Sequence, residues 1–306
     1  MSLLRLKGPD SLRFLHGQTS QSIESAHPGQ WLSTCCITPT ARLRALAEVL
    51  VCEDGAWLVI REGDAAGVRQ ALDRVLFPAD AVELGPLRPG LLLQPLPTPP
   101  GTGAAQTWRR LRGAEGFWLG DRLLLPVEAM DAPGPITVQP AADLEPQAAA
   151  LLALPRLDAE SLERWRIQVG WPACPAELNE ERNPFELGLA DRVSLSKGCY
   201  VGQETLARLA TYDGVSRQLR RWFVTGSEGP EVGAALRLQG ERAGRVTSAL
   251  ALPEGDGWIG LALVRRAALE ASILEVERSE ADPLSLCLSL PEGFVPPPVG
   301  AGGAGR

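Results

Sequence analysis

The chain has 306 residues, a formal net charge of −7, 45% hydrophobic residues and 22% charged residues. That is ordinary globular composition, with length for two or three domains. It is too acidic for a general nucleic-acid binder, which needs a positive surface to displace counterions.

The start, "MSLLRLKGPDSLRF", lacks the apolar stretch of a signal peptide, and no apolar run in the chain is long enough to span a bilayer. The expected location is the cytoplasm, with no membrane partner. Gly8-Pro9-Asp10 reads as a turn, and Asp10 or Ser11 can cap a helix carrying Leu12 and Leu15. "RALAEVLVC" and "AWLVIRE" read as strands about Asp54-Gly55, and Asp64 can cap a helix with Val68, Leu72 and Val75 on one face. Residues 86–107, rich in Pro and Gly, read as a surface connection with one strand at "GLLLQPL". "GFWLGDRLLLPV" reads as a hairpin turning at Gly120-Asp121, and Asp158 as the cap of a helix that stops at Gly170. From 217 to 290, short alternating segments divided by Gly, Asp and Pro predict an antiparallel barrel or sandwich of roughly six strands. The tail from 291 to 306 reads as disordered, and its formal G-x-G-x-x-G follows no βα unit.

Chemistry concentrates at 196–206, "SKGCYVGQETL". Among thirty basic residues only Lys7 and Lys197 are lysines, which marks Lys197 as a place for a compact ammonium rather than a planar fork. Gly198 and Gly202 bracket Cys199-Tyr200-Val201 and permit a tight backbone; Gln203 and Glu204 then open a helix. A cysteine before a helix start and two residues from a lysine favours the thiolate. Tyr200 offers a flat stacking face, and Gln203 and Glu204 offer hydrogen bonds to a heteroaromatic edge. A helix-capping loop with a buried cysteine is the plainer alternative. None of the six cysteines forms a C-x-x-C pair, and only His16 and His27 are histidines, so no stable metal site is expected.

"RWRIQVGWP", "NPFELGL", "VSLSKGCYVGQETLARL" and "GVSRQLRR" occur in the order seen in the YgfZ-type folate-binding proteins, relatives of the glycine-cleavage T-protein, and the K-G-C-Y-x-G-Q-E signature is complete from Lys197 to Glu204. "LKGPDSLRFLHGQTSQSI" and "GERAGRVTSALALPEGDGWIGLALVRR" are similar to the N-terminal and barrel segments of the same superfamily.

The resemblance implies an α+β, T-protein-like arrangement of three domains: residues 1–44 with 135–215 as a discontinuous folate-binding domain, 45–134 as a ferredoxin-like insertion, and 216–290 as the C-terminal antiparallel β-barrel. It implies that Cys199 and Lys197 are the reactive pair. Tetrahydrofolate, or a one-carbon derivative, would be held by Arg42, Arg166, Gln168, Glu186, Tyr200, Gly202, Gln203, Glu204 and Arg208. Arg208 and Arg217 suit the glutamate tail, and Glu186 suits a ligand or an arginine. The implied role is an accessory to iron–sulfur cluster assembly or repair in client enzymes, supporting tRNA modification without direct nucleic-acid contact. The alternative is a folate-dependent aminomethyltransferase.

Three departures stand out. Thr40-Ala41-Arg42 replaces a Lys-Gly-Arg triplet, and Gln168 replaces a glutamate in R-x-E-x-G. The catalytic aspartate of the transferases falls near Ala45 or Ala47, with Glu48 one register step away on the other face. That departure favours the accessory role, since alanine transfers no proton.

Overall fold

The computed structural model describes residues 1–96, 106–112, 114–127, 144–212, 214–255, 257–277 and 283–298. Eight antiparallel strands close a first barrel in the order β1-β4-β3-β2-β6-β7-β8-β5. They are β1 (Ser2–Lys7), β2 (Gln30–Ile37), β3 (Leu43–Cys52), β4 (Gly55–Gly63), β5 (Glu83–Leu93), β6 (Gln106–Arg110), β7 (Phe117–Leu119) and β8 (Arg122–Pro126). Two helices cover one face of its longer strands, α1 (Ser11–Gln18) and α2 (Ala65–Val75). Phe14 and Leu15 of α1, with Val68 and Leu72 of α2, share a core with Leu4, Ala45, Ala47, Val49, Leu58 and Ile60. Asp64 caps α2 by accepting from the Gly67 amide at 2.9 Å; Asp10 makes no side-chain cap to α1.

The expected division at residue 44 falls within a strand of this barrel. Leu43 begins β3, and β3 pairs with β2 along Trp31–Ile37 and with β4 along Gly55–Gly63. Strands on either side of residue 44 are thus joined in one sheet by two ladders. Of the connection expected over 86–107, the part to Leu93 is strand β5, which pairs with both β1 and β8, and residues 97–105 lie outside the described residues. Pro86 was the misleading signal. The β1–β5 register shifts between Leu84 and Leu87, so Gly85-Pro86 sits at an irregularity where a missing donor is tolerated.

A second closed barrel runs β10-β11-β12-β9-β14-β13. Its strands are β9 (Arg217–Val224), β10 (Ala235–Leu238), β11 (Glu241–Ala251), β12 (Trp258–Arg265), β13 (Ile273–Val276) and β14 (Leu284–Ser289). Trp222, Leu236, Val246, Ala262, Val264 and Leu286 fill it. The remaining helices are α3 (Pro146–Ala153), α4 (Ala159–Val169) and α5 (Gln203–Thr211). Asp158 caps α4 by accepting from the Ser161 amide at 2.7 Å, and Gly170 closes it at φ 74°, where a side chain is disfavoured.

Residues 291–298 are not a free tail. The amides of Glu292, Gly293 and Val295 donate to Gln168, Val169 and Gly188 carbonyls at 3.2, 3.0 and 2.8 Å. Residues 299–306, with the formal glycine motif, lie outside the described residues.

The chain divides into two units, Met1–Arg156 with Asp191–Gln203, and Leu157–Ala190 with Glu204–Arg306. Among the described residues no helix is long and apolar enough to cross a membrane.

Candidate functional site

A helix end leaves its last carbonyls without partners inside the helix. At the end of α1 the signature loop supplies them. The Lys197 ammonium donates to the carbonyls of His16, Thr19 and Gln21 at 2.5, 2.6 and 2.8 Å. The Val201 amide donates to Gly17 O at 3.0 Å. Lysine suits the place, because three rotatable donors on one point charge can meet carbonyls converging from different directions, and a cation is favourable at a helix C-terminus. Burial pulls Lys197 down to about 7. The three carbonyls and the Tyr200 ring, whose centroid lies 4.2 Å from Nζ, favour the charged form.

His16 completes the clasp. Its Nδ1 accepts from the amides of Ile23 and Glu24 at 3.2 and 3.1 Å, which assigns the neutral ring with its proton on Nε2. Burial, then the Lys197 charge, holds its pKa below the usual value. His16 is therefore a structural residue.

Of the two bracketing glycines only Gly202 is required. It has φ 79°, and a Cβ there would lie 2.8 Å from Thr38 O and 3.2 Å from Ala41 Cα. Gly198 has no close neighbour beyond His16 Nε2 at 3.9 Å. Gly202 packs on the tight 38–42 turn, where the Arg42 amide donates to Thr38 Oγ1 at 3.0 Å and Ala41 is left-handed at φ 58°. Ala41 thus occupies a backbone conformation that suits the glycine of the superfamily triplet.

Within this arrangement Cys199 is exposed. Tyr200 is buried, and its hydroxyl has no hydrogen-bond partner among the described residues. Gln203 Nε2 donates to Lys197 O at 3.2 Å. One unit therefore gathers Arg42, Lys197, Cys199, Tyr200, Gly202 and Gln203. All three donors of Lys197 are spent on carbonyls, so it acts here as the fastener of the loop. Cys35 and Cys36 are buried, and desolvation pushes both thiols up to about 12.

The other expected residues lie in the second unit. Glu204 and Arg208 are exposed and pair with each other along α5 at 2.7 Å. Arg166 is held by Glu163 at 2.6 and 2.7 Å, by Trp171 O at 2.8 Å and by Ser248 Oγ at 2.7 Å. Behind it stands Glu177, with no exposed side chain, 3.4 Å from Arg166 and accepting from Ser248 at 2.7 Å. Gln168, two residues along the helix, is exposed and donates to Glu292 Oε1 at 2.7 Å. Arg166 and Gln168 therefore engage different groups. Glu186 meets an arginine, one of its two expected partners: Arg217 lies 3.3 Å away. Its carboxylate also accepts from the Asn183 amide at 3.2 Å, closing a capping box.

Ala45 and Ala47 are fully buried, and Glu48 lies on the opposite face of β3, 2.9 Å from Arg61. Sequence reasoning missed Glu177 and Ser248, 71 residues apart, and the Glu48–Arg61 pair across the β3–β4 hairpin. Among the described residues no three His, Cys, Asp or Glu side chains form a metal set.

No family model matches the chain. A chloroplastic Arabidopsis thaliana protein provisionally named a transferase, At1g60990, is 30% identical over 281 residues, covering 87% of this chain and 63% of the relative. The tRNA-modifying protein YgfZ of Hamiltonella defensa is 34% identical over 131 residues, 39% of this chain and 38% of that one. The YgfZ of Yersinia enterocolitica is 32% identical over 132 residues, 41% of this chain and 39% of that one. A Bartonella henselae glycine-cleavage aminomethyltransferase T superposes with TM-score 0.66 at 17% identity, covering 96% of this chain and 84% of the other. Over about two fifths of its length the chain is homologous to the YgfZ proteins, and it has the T-protein fold. It spans 63% of the Arabidopsis relative, and its YgfZ matches span under two fifths of those proteins. Both closed barrels belong to the shared fold; the low identity carries no activity with it.

Proposed function

We propose that the chain is a tetrahydrofolate-binding accessory protein that supports assembly or repair of iron–sulfur clusters in client enzymes of the cytoplasm. The observation that carries this reading is the signature loop, fastened by Lys197 and Val201 to the end of α1 while Cys199 stays exposed. A thiol held at a fixed place on a rigid loop suits transfer to or from a partner. The donor set also fits a reduced pterin. The Gln203 amide and the unpartnered Tyr200 hydroxyl are groups that pair with an aminopyrimidine edge. The YgfZ homology supports the reading.

The transferase alternative has less behind it. Ala45 and Ala47 offer no proton-transfer group, and Glu48 is buried against Arg61. The test is reactivation of an oxidatively damaged iron–sulfur enzyme with tetrahydrofolate present. Wild type should restore activity and Cys199→Ala should not. Equal restoration by both would sink the role of the thiol, and none by either would sink the accessory function.

A further inference from the structure

The inside of the first barrel is largely apolar, with Leu3, Trp31, Leu50, Val59, Leu119 and Leu124 packed together. Side chains alternate along a strand, so Ser33, Glu48 and Arg122, each two residues from one of these, face the same interior. Ser33 and Glu48 stand directly opposite in register, and Glu48 holds Arg61 at 2.9 Å. Arg192, 2% exposed, comes from the segment before the signature loop and donates to Ala47 O at 3.2 Å. Burial holds the Arg61 pKa below its usual value; Glu48 opposes this, while Arg192 and Arg122 add to it. The four charged groups therefore lie within electrostatic reach of one another, all in one unit.

Arg122 is the anomaly. It is 6% exposed, its guanidinium lies 5.5 Å from the Trp31 ring centroid, and it makes no hydrogen bond or ion pair among the described residues. A guanidinium cannot shed its proton, so burial leaves it charged with its donors unmet. The ring face offsets only part of that cost. Trp31 Nε1 is buried and donates to nothing among the described residues, and Glu48 Oε2 accepts from nothing. Two kinds of donor and one acceptor are thus left over at one end of the barrel.

We infer that this end of the barrel binds hydrogen phosphate. Phosphate oxygens accept from guanidinium and indole N–H groups, and the remaining phosphate O–H donates to Glu48 Oε2, so one ion answers all three. An eight-stranded barrel has room inside for side chains or one small ligand, which favours an inorganic ion over a bulky ester. The site shares no residue with the folate reading and stands independently of it.

The experiment is thermal unfolding of the full chain in sodium phosphate, sulfate and chloride at equal ionic strength, with calorimetric titration of phosphate. Phosphate at about 10 mM should raise the wild-type midpoint by about 3 °C over chloride. Sulfate has the same shape but no proton at neutral pH, so it sets an oxygen against Glu48 and should bind about tenfold more weakly. Arg122→Met should lose the phosphate response and, in chloride, unfold no lower than wild type, because it removes an unpaired buried charge. Trp31→Phe keeps the ring, removes the indole N–H and should weaken phosphate about threefold, which tests the site even if Arg122→Met fails to fold. A wild type indifferent to phosphate, a response kept in Arg122→Met, or unchanged phosphate affinity in Trp31→Phe overturns the inference. Equal binding of sulfate and phosphate overturns the assignment to hydrogen phosphate.

Discussion

Lys197, buried in one unit, and Arg166, half-buried in the other, are both cations singled out by the sequence, and they solve the burial problem differently. Lys197 sends three hydrogen bonds to main-chain carbonyls beyond and at the end of α1. Arg166 turns a planar fork on Glu163 and reaches Glu177, Ser248 and a carbonyl with its remaining donors. Converging carbonyls call for a point charge, and carboxylates call for a fork. The first arrangement fixes a loop and leaves a thiol outside it. The second joins a helix, a loop and a strand within one unit.

Exchanging the two cations is the sharpest way to break that contrast. Lys197→Met should cost about 3 kcal/mol in denaturant unfolding, because one buried and two part-buried carbonyls lose their donor. Lys197→Arg should recover less than half of it, since a planar group cannot meet all three; full recovery would deny the geometric argument. Arg166→Lys should cost about 2 kcal/mol, the fork on Glu163 being lost while the charge is kept. A cost near zero would reduce the network to an ornament of the surface.

The pH dependence adds a finer contrast. The Lys197 value is lowered in the folded chain to about 7 from 10.5. The unfolded chain therefore binds more protons above pH 7, and stability should rise from pH 7 toward 9, by less than the one-proton limit of about 1.4 kcal/mol per pH unit. Lys197→Met should lack this slope in matched unfolding curves. Above pH 9 the raised thiols of Cys35 and Cys36 act in the opposite direction, because the unfolded thiols ionise first. The smallest effect is expected at Ala41, where Ala41→Gly relieves a left-handed alanine at φ 58° and should stabilise by about 0.5 kcal/mol after the entropy glycine adds to the unfolded chain. Destabilisation would mean that the methyl group packs better than the backbone suffers.

Much of the fold was legible where the signal is local. Asp158 and Gly170 bound α4 as their cap chemistry requires, and alternation with Gly and Pro punctuation foretold the second barrel. Closure of the first barrel was not legible. It depends on β5, whose Pro86 and Pro89 look like loop residues although Pro86 sits at a register irregularity and Pro89 pairs with Ser2. At the site, the signature pointed to the correct loop but not to the work each residue does. That Lys197 serves α1 is invisible in sequence, because its acceptors are main-chain carbonyls some 180 residues away, each belonging to a residue of any type. Glu177 and Ser248 were missed for the same reason, being 71 residues apart.

The central claim is that the loop holds Cys199 ready without needing it for structure or for folate. Anaerobic calorimetric titration of tetrahydrofolate into wild type and Cys199→Ala tests it most directly. The account predicts binding by both with the same affinity. No heat from wild type at ligand concentrations well above the micromolar range, or binding that disappears in Cys199→Ala, would contradict it.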